Sequence, residues 1–192
     1  MKIEITRRRI IFLILPVIAI ALAVAVYPYI PWPIYSLDYY GTKMGFRVNL
    51  RDAKDVPVYP NEADVRSQII NQWVENVTIV FKPGTEQANA HYAVEVYEVV
   101  NKIAVAFSIN FGYMPNFNVV NVTSYEGLKG KNYNPVIALV HPMYSNETSV
   151  RLDDYVIFIS GKNSTDLKEQ LRNFDIAVAK FLMVALDIKL NN

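Results

Sequence analysis

An α+β domain carried outside the cytoplasm on one N-terminal transmembrane helix is the architecture this sequence predicts, with a mixed or antiparallel sheet and about three helices. Three observations support that expectation. An uncharged stretch of 21 residues, Ile10–Ile30, follows a basic cluster. Short runs of alternating apolar residues recur between Phe46 and Ile159, as strands with one buried face require. The chain then closes on a long segment, 166–188, whose apolar residues fall at helical spacing.

The uncharged stretch reads IIFLILPVIAIALAVAVYPYI. As a helix it is about 31 Å long, close to the roughly 30 Å hydrocarbon core of a bilayer. A lone span must pair its backbone amides internally, which leaves the helix as its only form. Arg7, Arg8 and Arg9 precede it and the next basic residue is Lys43, so residues 1–9 are expected in the cytoplasm and the rest beyond the membrane. Tyr27, Tyr29, Trp32, Tyr35, Tyr39 and Tyr40 supply an aromatic belt for the outer interface, and Pro28, Pro31 and Pro33 stop the helix. The rival reading is a signal peptide cleaved near Ala23 or Ala25. The domain plan is therefore a basic tail 1–9, a signal-anchor helix 10–30, a Pro/aromatic linker 31–43, and an extracytoplasmic α+β domain 44–192.

Charge and cysteine content narrow the function classes. Residues 1–9 carry +3, and from Asp38 onward the chain is at −2, within an overall net charge of +1. A mildly acidic domain without a basic stripe offers no electrostatic footprint for nucleic acid. The absence of cysteine excludes disulfides, thiolate metal sites and a cysteine nucleophile.

Along the domain, Phe46, Val48 and Leu50 alternate as a first strand, and Val56 and Val58 make a short second one ending at Pro60. Asn61 is placed to cap a helix over 62–72. Val77, Ile79 and Phe81 form a strand closed by the turn Lys82-Pro83-Gly84. A helix over 86–101 follows, then Ile103–Ile109 as a buried strand. The segment 110–134 holds at most one strand, near Val119–Tyr125. Val136–Val140 reads as a buried strand, and Val150–Leu152 with Tyr155–Ile159 as a hairpin turning at Asp153-Asp154. In the last helix, Leu171, Phe174, Val178, Phe181, Ala185 and Ile188 make one apolar face, and between Ile176 and Leu186 only Lys180 is polar. That helix is either a central core element or one whose surplus apolar face docks a partner. Phe174 and Phe181 are the interface candidates under the second reading.

Four N-x-T sequons stand at Asn76, Asn121, Asn146 and Asn163. Outside the cytoplasm of a glycosylating host such sites accept oligosaccharide. Asn146 and Asn163, in expected turns, are the better candidates. No nucleophile elbow, zincin helix, P-loop or dinucleotide fingerprint is present, so no catalytic, cofactor or metal residue is expected. His91 and His141 read as isolated, and Asp153-Asp154 as turn residues.

The stretches FRVNLRDAKDVPVYP, NVTIVF, NPVIALVHP and DDYVIFISGK, followed by LRNFDIAVAKFLMVAL, resemble small archaeal single-span membrane proteins with an exported α+β domain. The resemblance implies a surface location and no particular activity. The expected role is a structural or interaction protein of a cell surface or membrane complex. Its partners would be the lipid bilayer, other membrane or surface proteins, or further copies of itself. A ligand-binding module for glycans or peptides and an exported hydrolase are the alternatives. A flat apolar patch on the last helix or an open sheet edge would favour the first, an aromatic cleft built from the 110–134 tyrosines the second, and a polar pocket joining His141 to Asp153-Asp154 the third.

Overall fold

The computed structural model describes residues 35–190. The expected basic tail, membrane span and the start of the linker lie outside the described residues. Among the described residues no helix is long and apolar enough to cross a membrane. The domain is α+β, with three α-helices and a mixed sheet beside a small hairpin.

Two strands, β1 (Tyr35–Tyr39) and β2 (Thr42–Phe46), form that antiparallel hairpin. It occupies much of the segment expected to be a linker, which corrects the domain boundary. The turn is legible in Tyr40-Gly41, both at positive φ, with Asp38 Oδ1 accepting from the Gly41 N–H. Tyr39, placed in the expected aromatic belt, is instead buried, and Asn110 Nδ2 donates to its hydroxyl at 3.1 Å. Phe46 ends β2, and Leu50 opens a 3-10 turn (Leu50–Ala53), so the strand expected over 46–50 does not form.

The sheet proper has six strands: β3 (Val58–Tyr59), β4 (Asn76–Phe81), β5 (Asn116–Asn121), β6 (Val136–Val140), β7 (Ser149–Asp153) and β8 (Val156–Ser160), in the order β3-β7-β8-β6-β4-β5. Every neighbouring pair is parallel except β7 with β8. Those two form a two-residue hairpin in which Asp153 pairs with Val156, and Asp154 and Tyr155 both have positive φ. The turn is thus one residue later than Asp153-Asp154.

The helices are α1 (Glu62–Ile69), α2 (Glu86–Phe111) and α3 (Leu167–Ala185). Asn61 caps α1 as expected, its Oδ1 accepting from the Asp64 N–H at 2.9 Å. The strand expected over Ile103–Ile109 is instead the second half of α2. Val99, Ile103, Ala106 and Phe107 recur at spacings that keep them on one helix face, and all are buried, so packing outweighs the β-branched local preference. Gly112, at φ 74, then ends the helix in the left-handed conformation.

Strand alternation sorts the two faces of the sheet. Val77, Ile79, Ile137, Leu139, Val150, Ile157 and Ile159 point to the helix layer and share its core. Val80, Ala138 and Val156 point the other way, partly covered by Val122, Tyr125 and Leu128 of the loop before β6. Helix α3 packs against both other helices and against β7 and β8. From Ala177 to Leu186 it is buried without interruption, and Phe174 and Phe181 are each 0% exposed. The interface role expected for these two side chains is corrected accordingly: they belong to the core. Lys180 is accommodated there because its Nζ reaches Glu62 at 2.8 Å and the Lys54 carbonyl at 2.9 Å.

Candidate functional site

The two margins of the sheet are built differently. At one end β3 contributes only two residues and stops at Pro60, which has no N–H to offer, so that edge is blunted. At the other end β5 is six residues long and in unbroken register with β4, from Asn76 opposite Asn116 to Phe81 opposite Asn121. Gly112 turns the chain out of α2, and the pairing opens with the Asn116 N–H donating to the Glu75 carbonyl at 2.8 Å. It closes with the Val122 N–H donating to the Phe81 carbonyl at 2.9 Å.

Among the described residues, the outer side of β5 pairs with no other strand. From Gly112 to Tyr125 there is no charged residue, and the strand itself, which follows Pro115, holds no proline or bulge. Val119 and Val120 are 49% and 45% exposed, and Met114 just before the strand is 68% exposed. Phe117 and Val119 lie on the helix side, level with Val77 and Ile79, while Asn116, Asn118 and Val120 lie on the open side. An outer row of backbone donors and acceptors, flanked by uncharged side chains, is a template for another strand.

A second assembly lies inside the helix layer, and it joins histidines that read as isolated along the chain. His91 and Glu95 are one turn apart on α2 and Asp175 faces them from α3. The His91 Nε2 is 2.9 Å from Asp175 Oδ1 and 3.4 Å from Glu95 Oε1. Arg47, following β2, brings Nη1 to 3.4 Å from the same Glu95 oxygen and 3.8 Å from the same Asp175 oxygen. The His141 ring stands 5.7 Å from that of His91, with Phe174 edge-on to both. The spacing of four between His91 and Glu95 is the signal that local sequence offers. Their partner 84 positions from His91 leaves no such mark.

Electrostatics in this cluster follow from burial and pairing. Burial alone would depress the His91 pKa, but hydrogen bonds to Asp175 and Glu95 together with their charges raise it to about 9. Burial lifts Glu95 to about 8, against the opposing bond to His91. Asp175 is held below its ordinary value: burial pushes it up, and the His91 and Glu95 bonds and Arg47 outweigh that. His141 falls to about 4 through burial and the charge on His91. His91, Glu95 and Asp175 could each offer one ligand atom to a cation, all within 4.8 Å of one another. The Arg47 guanidinium already faces both carboxylates, so the chain supplies its own cation there. Next along α2, Glu98 pairs with the buried Lys102, whose ammonium lies 4.9 Å over the Phe46 ring. The arrangement fastens the segment after β2 onto α2 and α3.

A groove of about 590 Å³ opens on the other face of the sheet, where Tyr125, Tyr144, Arg151, Asp153 and Phe158 are among its walls. The Arg151 guanidinium lies 5.0 Å over the Phe158 ring. His141 does not line this groove. It follows Val140, which pairs with Ser160, whereas Asp154 precedes Val156 at the opposite end of β8. About 16 Å of strand therefore separates His141 from the Asp153-Asp154 turn, and the pocket that would favour a hydrolase is not assembled. The tyrosines of 110–134 also disperse: Tyr113 donates to the Gln72 and Val74 carbonyls, and only Tyr125 reaches the groove.

The sequons fall in distinct settings. Asn146 is exposed in the loop before β7. Asn163 is exposed, but its Oδ1 accepts from Gln170 Nε2 at 2.6 Å. Asn121 ends β5. Asn76 opens β4 with its amide donating to Asn134 Oδ1 at 3.5 Å and accepting from Asn116 at 3.4 Å.

Among the described residues, these features define an α+β domain with one blunted and one open sheet edge. No protein-family model, no curated protein and no solved structure matches this chain.

Proposed function

We propose that this is a single-pass membrane protein whose extracytoplasmic domain works by association, as a structural or interaction component of a cell surface or membrane complex. The observation that carries the reading is the open, charge-free edge of β5. The uncharged stretch Ile10–Ile30 behind three arginines supports the anchor, with residues 1–9 cytoplasmic, and the sequons support N-glycans on the exposed domain. Confinement to a membrane raises effective concentration, so a short strand contact suffices where it would be weak in solution.

Affinity purification of the full chain from its own membranes in mild detergent tests this. Partners, including further copies, should co-purify with the parent chain and be lost from a Val119→Lys variant, whose charge guards the edge. Protease added to intact cells should remove the domain. A chain that brings down nothing, or a domain protected in intact cells, would defeat the reading.

A second reading, a binding module for glycans or peptides, is favoured by the open-face groove, where aromatic rings stand among Arg151, Asp153 and Glu147. An Arg151→Ala variant that loses retention on a glycan or peptide array would support it.

A further inference from the structure

We propose that the strand added to β5 is the β5 of a second copy of this chain, paired antiparallel about a two-fold axis through Asn118, so that two six-stranded sheets become one. The inference rests on the reading of β5 as the association edge and adds the identity of the partner.

A two-fold contact sets the strand against a copy of itself, so an edge carrying charges of one sign would repel itself. The outward strand here is neutral from Gly112 to Tyr125. A heterologous partner imposes no such condition. The opposite edge, by contrast, is reduced to two residues and Pro60, so the assembly closes at two copies instead of growing into a filament.

The register follows from the two faces of the sheet. An axis perpendicular to the sheet keeps both helix layers on one side, so paired residues must come from the same face. Centring on Asn118 sets Phe117 opposite Val119 of the second copy, and Val119 opposite its Phe117, both on the helix side. On the open side Asn118 meets Asn118, and Asn116 meets Val120. Aromatic against β-branched is a favourable cross-strand pair, and the half-exposed Val119 gains cover twice. Centring on Val119 would instead oppose Phe117 to Asn121 and lose both pairs.

The chain has no cysteine, so one introduced thiol reports one position. In the full chain in native membrane vesicles, Asn118→Cys should form a disulfide-linked homodimer under mild oxidation, because residues opposed across an antiparallel pair lie at about 4.5–5.5 Å between Cα atoms. Asn116→Cys faces Val120, and its own counterpart lies more than about 13 Å away along the strand, so it should not cross-link. Tyr97→Cys, exposed on α2, gives the collision background. The expected result is a dimer yield at Asn118→Cys at least about tenfold above both controls, abolished by adding Val119→Lys. Equal yields at all three positions would overturn the proposal. Adducts of Asn118→Cys with a protein of different mass would overturn the self-pairing but leave the association reading standing. Recovery of Asn118→Cys solely as monomer, in membranes where Val119→Lys also changes no co-purifying protein, would overturn both. Full-occupancy glycosylation of Asn121, on the same strand, would exclude the pairing as well.

Discussion

His91 of α2 and Asp175 of α3 meet through Nε2 and Oδ1 at 2.9 Å, inside a helix layer that is otherwise largely apolar. Glu95 and Arg47 complete the group, so two helices and the segment after β2 are joined through largely buried polar groups. A buried pair of this kind adds little net stability when intact, but removing one partner leaves an uncompensated charge.

The stability of the domain should therefore fall as pH rises above neutrality. His91 is held up at about 9 from 6.5, so its contribution is complete below about pH 6.5 and is lost as pH climbs through 9. Glu95, held up at about 8 from 4.5, acts in the same direction, since the unfolded chain releases that proton earlier. His141, lowered to about 4, erodes stability in the opposite direction, as pH falls from 6.5 towards 4. In urea unfolding the His91 shift alone corresponds to a loss on the order of 3 kcal/mol between pH 6.5 and 9, to which Glu95 adds below pH 8. A Glu95→Gln variant should show a shallower decline, and a flat profile in the parent domain would refute the assignment.

Phe174 and Phe181 distinguish core from interface. Each is fully buried, and Phe174 lies edge-on to His91, Tyr92 and His141. Phe174→Ala should cost about 3–5 kcal/mol through the cavity it leaves. Phe181→Asp should prevent folding altogether. Retention of the parent urea midpoint by Phe181→Asp would return that residue to the surface.

Gly161 is fixed by close backbone approach. A methyl group there would stand 2.8 Å from the Phe174 N and Cα and 2.9 Å from Pro142 Cγ. Gly161→Ala should destabilise by about 1–3 kcal/mol, since α3 must shift off β8 to admit it. Gly84→Ala meets chiefly the Met143 sulfur, the end of a flexible side chain, and should cost less. Thermal melts of the two variants give the comparison, and equal melting temperatures would contradict the packing described.

In a host that makes N-glycans, Asn146 should be modified and Asn76 should not. Asn146 is exposed in a loop, whereas the Asn76 amide is engaged by Asn116 and Asn134 at the start of a central strand. Glycopeptide mass analysis of protein from native membranes decides it, and occupancy at Asn76 without Asn146 would reverse the ranking.

What depends on local period and capping is legible in the residues themselves. Val77, Ile79 and Phe81 alternate, as do the residues of β7 and β8, because one face of each strand is buried. Asn61 starts its helix with a side-chain acceptor that residue type alone reveals. The apolar spacing of α3 likewise marks a helix without reference to its neighbours. Features that join residues distant in the chain are settled by packing instead. Ile103–Ile109 has a strand's composition and becomes helix because a core covers one face of it. Residues 35–43 have a linker's composition but pair as a hairpin, with Tyr39 held by Asn110. The two histidines form one cluster only where the end of β6 meets α2, and Asp175 joins them from 84 positions beyond His91. Whether a strand lies at the centre or the edge of a sheet is equally invisible locally. β4 and β5 are both rich in Val and Phe, and only strand order surrounds one and, among the described residues, leaves the other with an unpaired side, because hydrogen-bonding neighbours are set by topology and not by sequence adjacency.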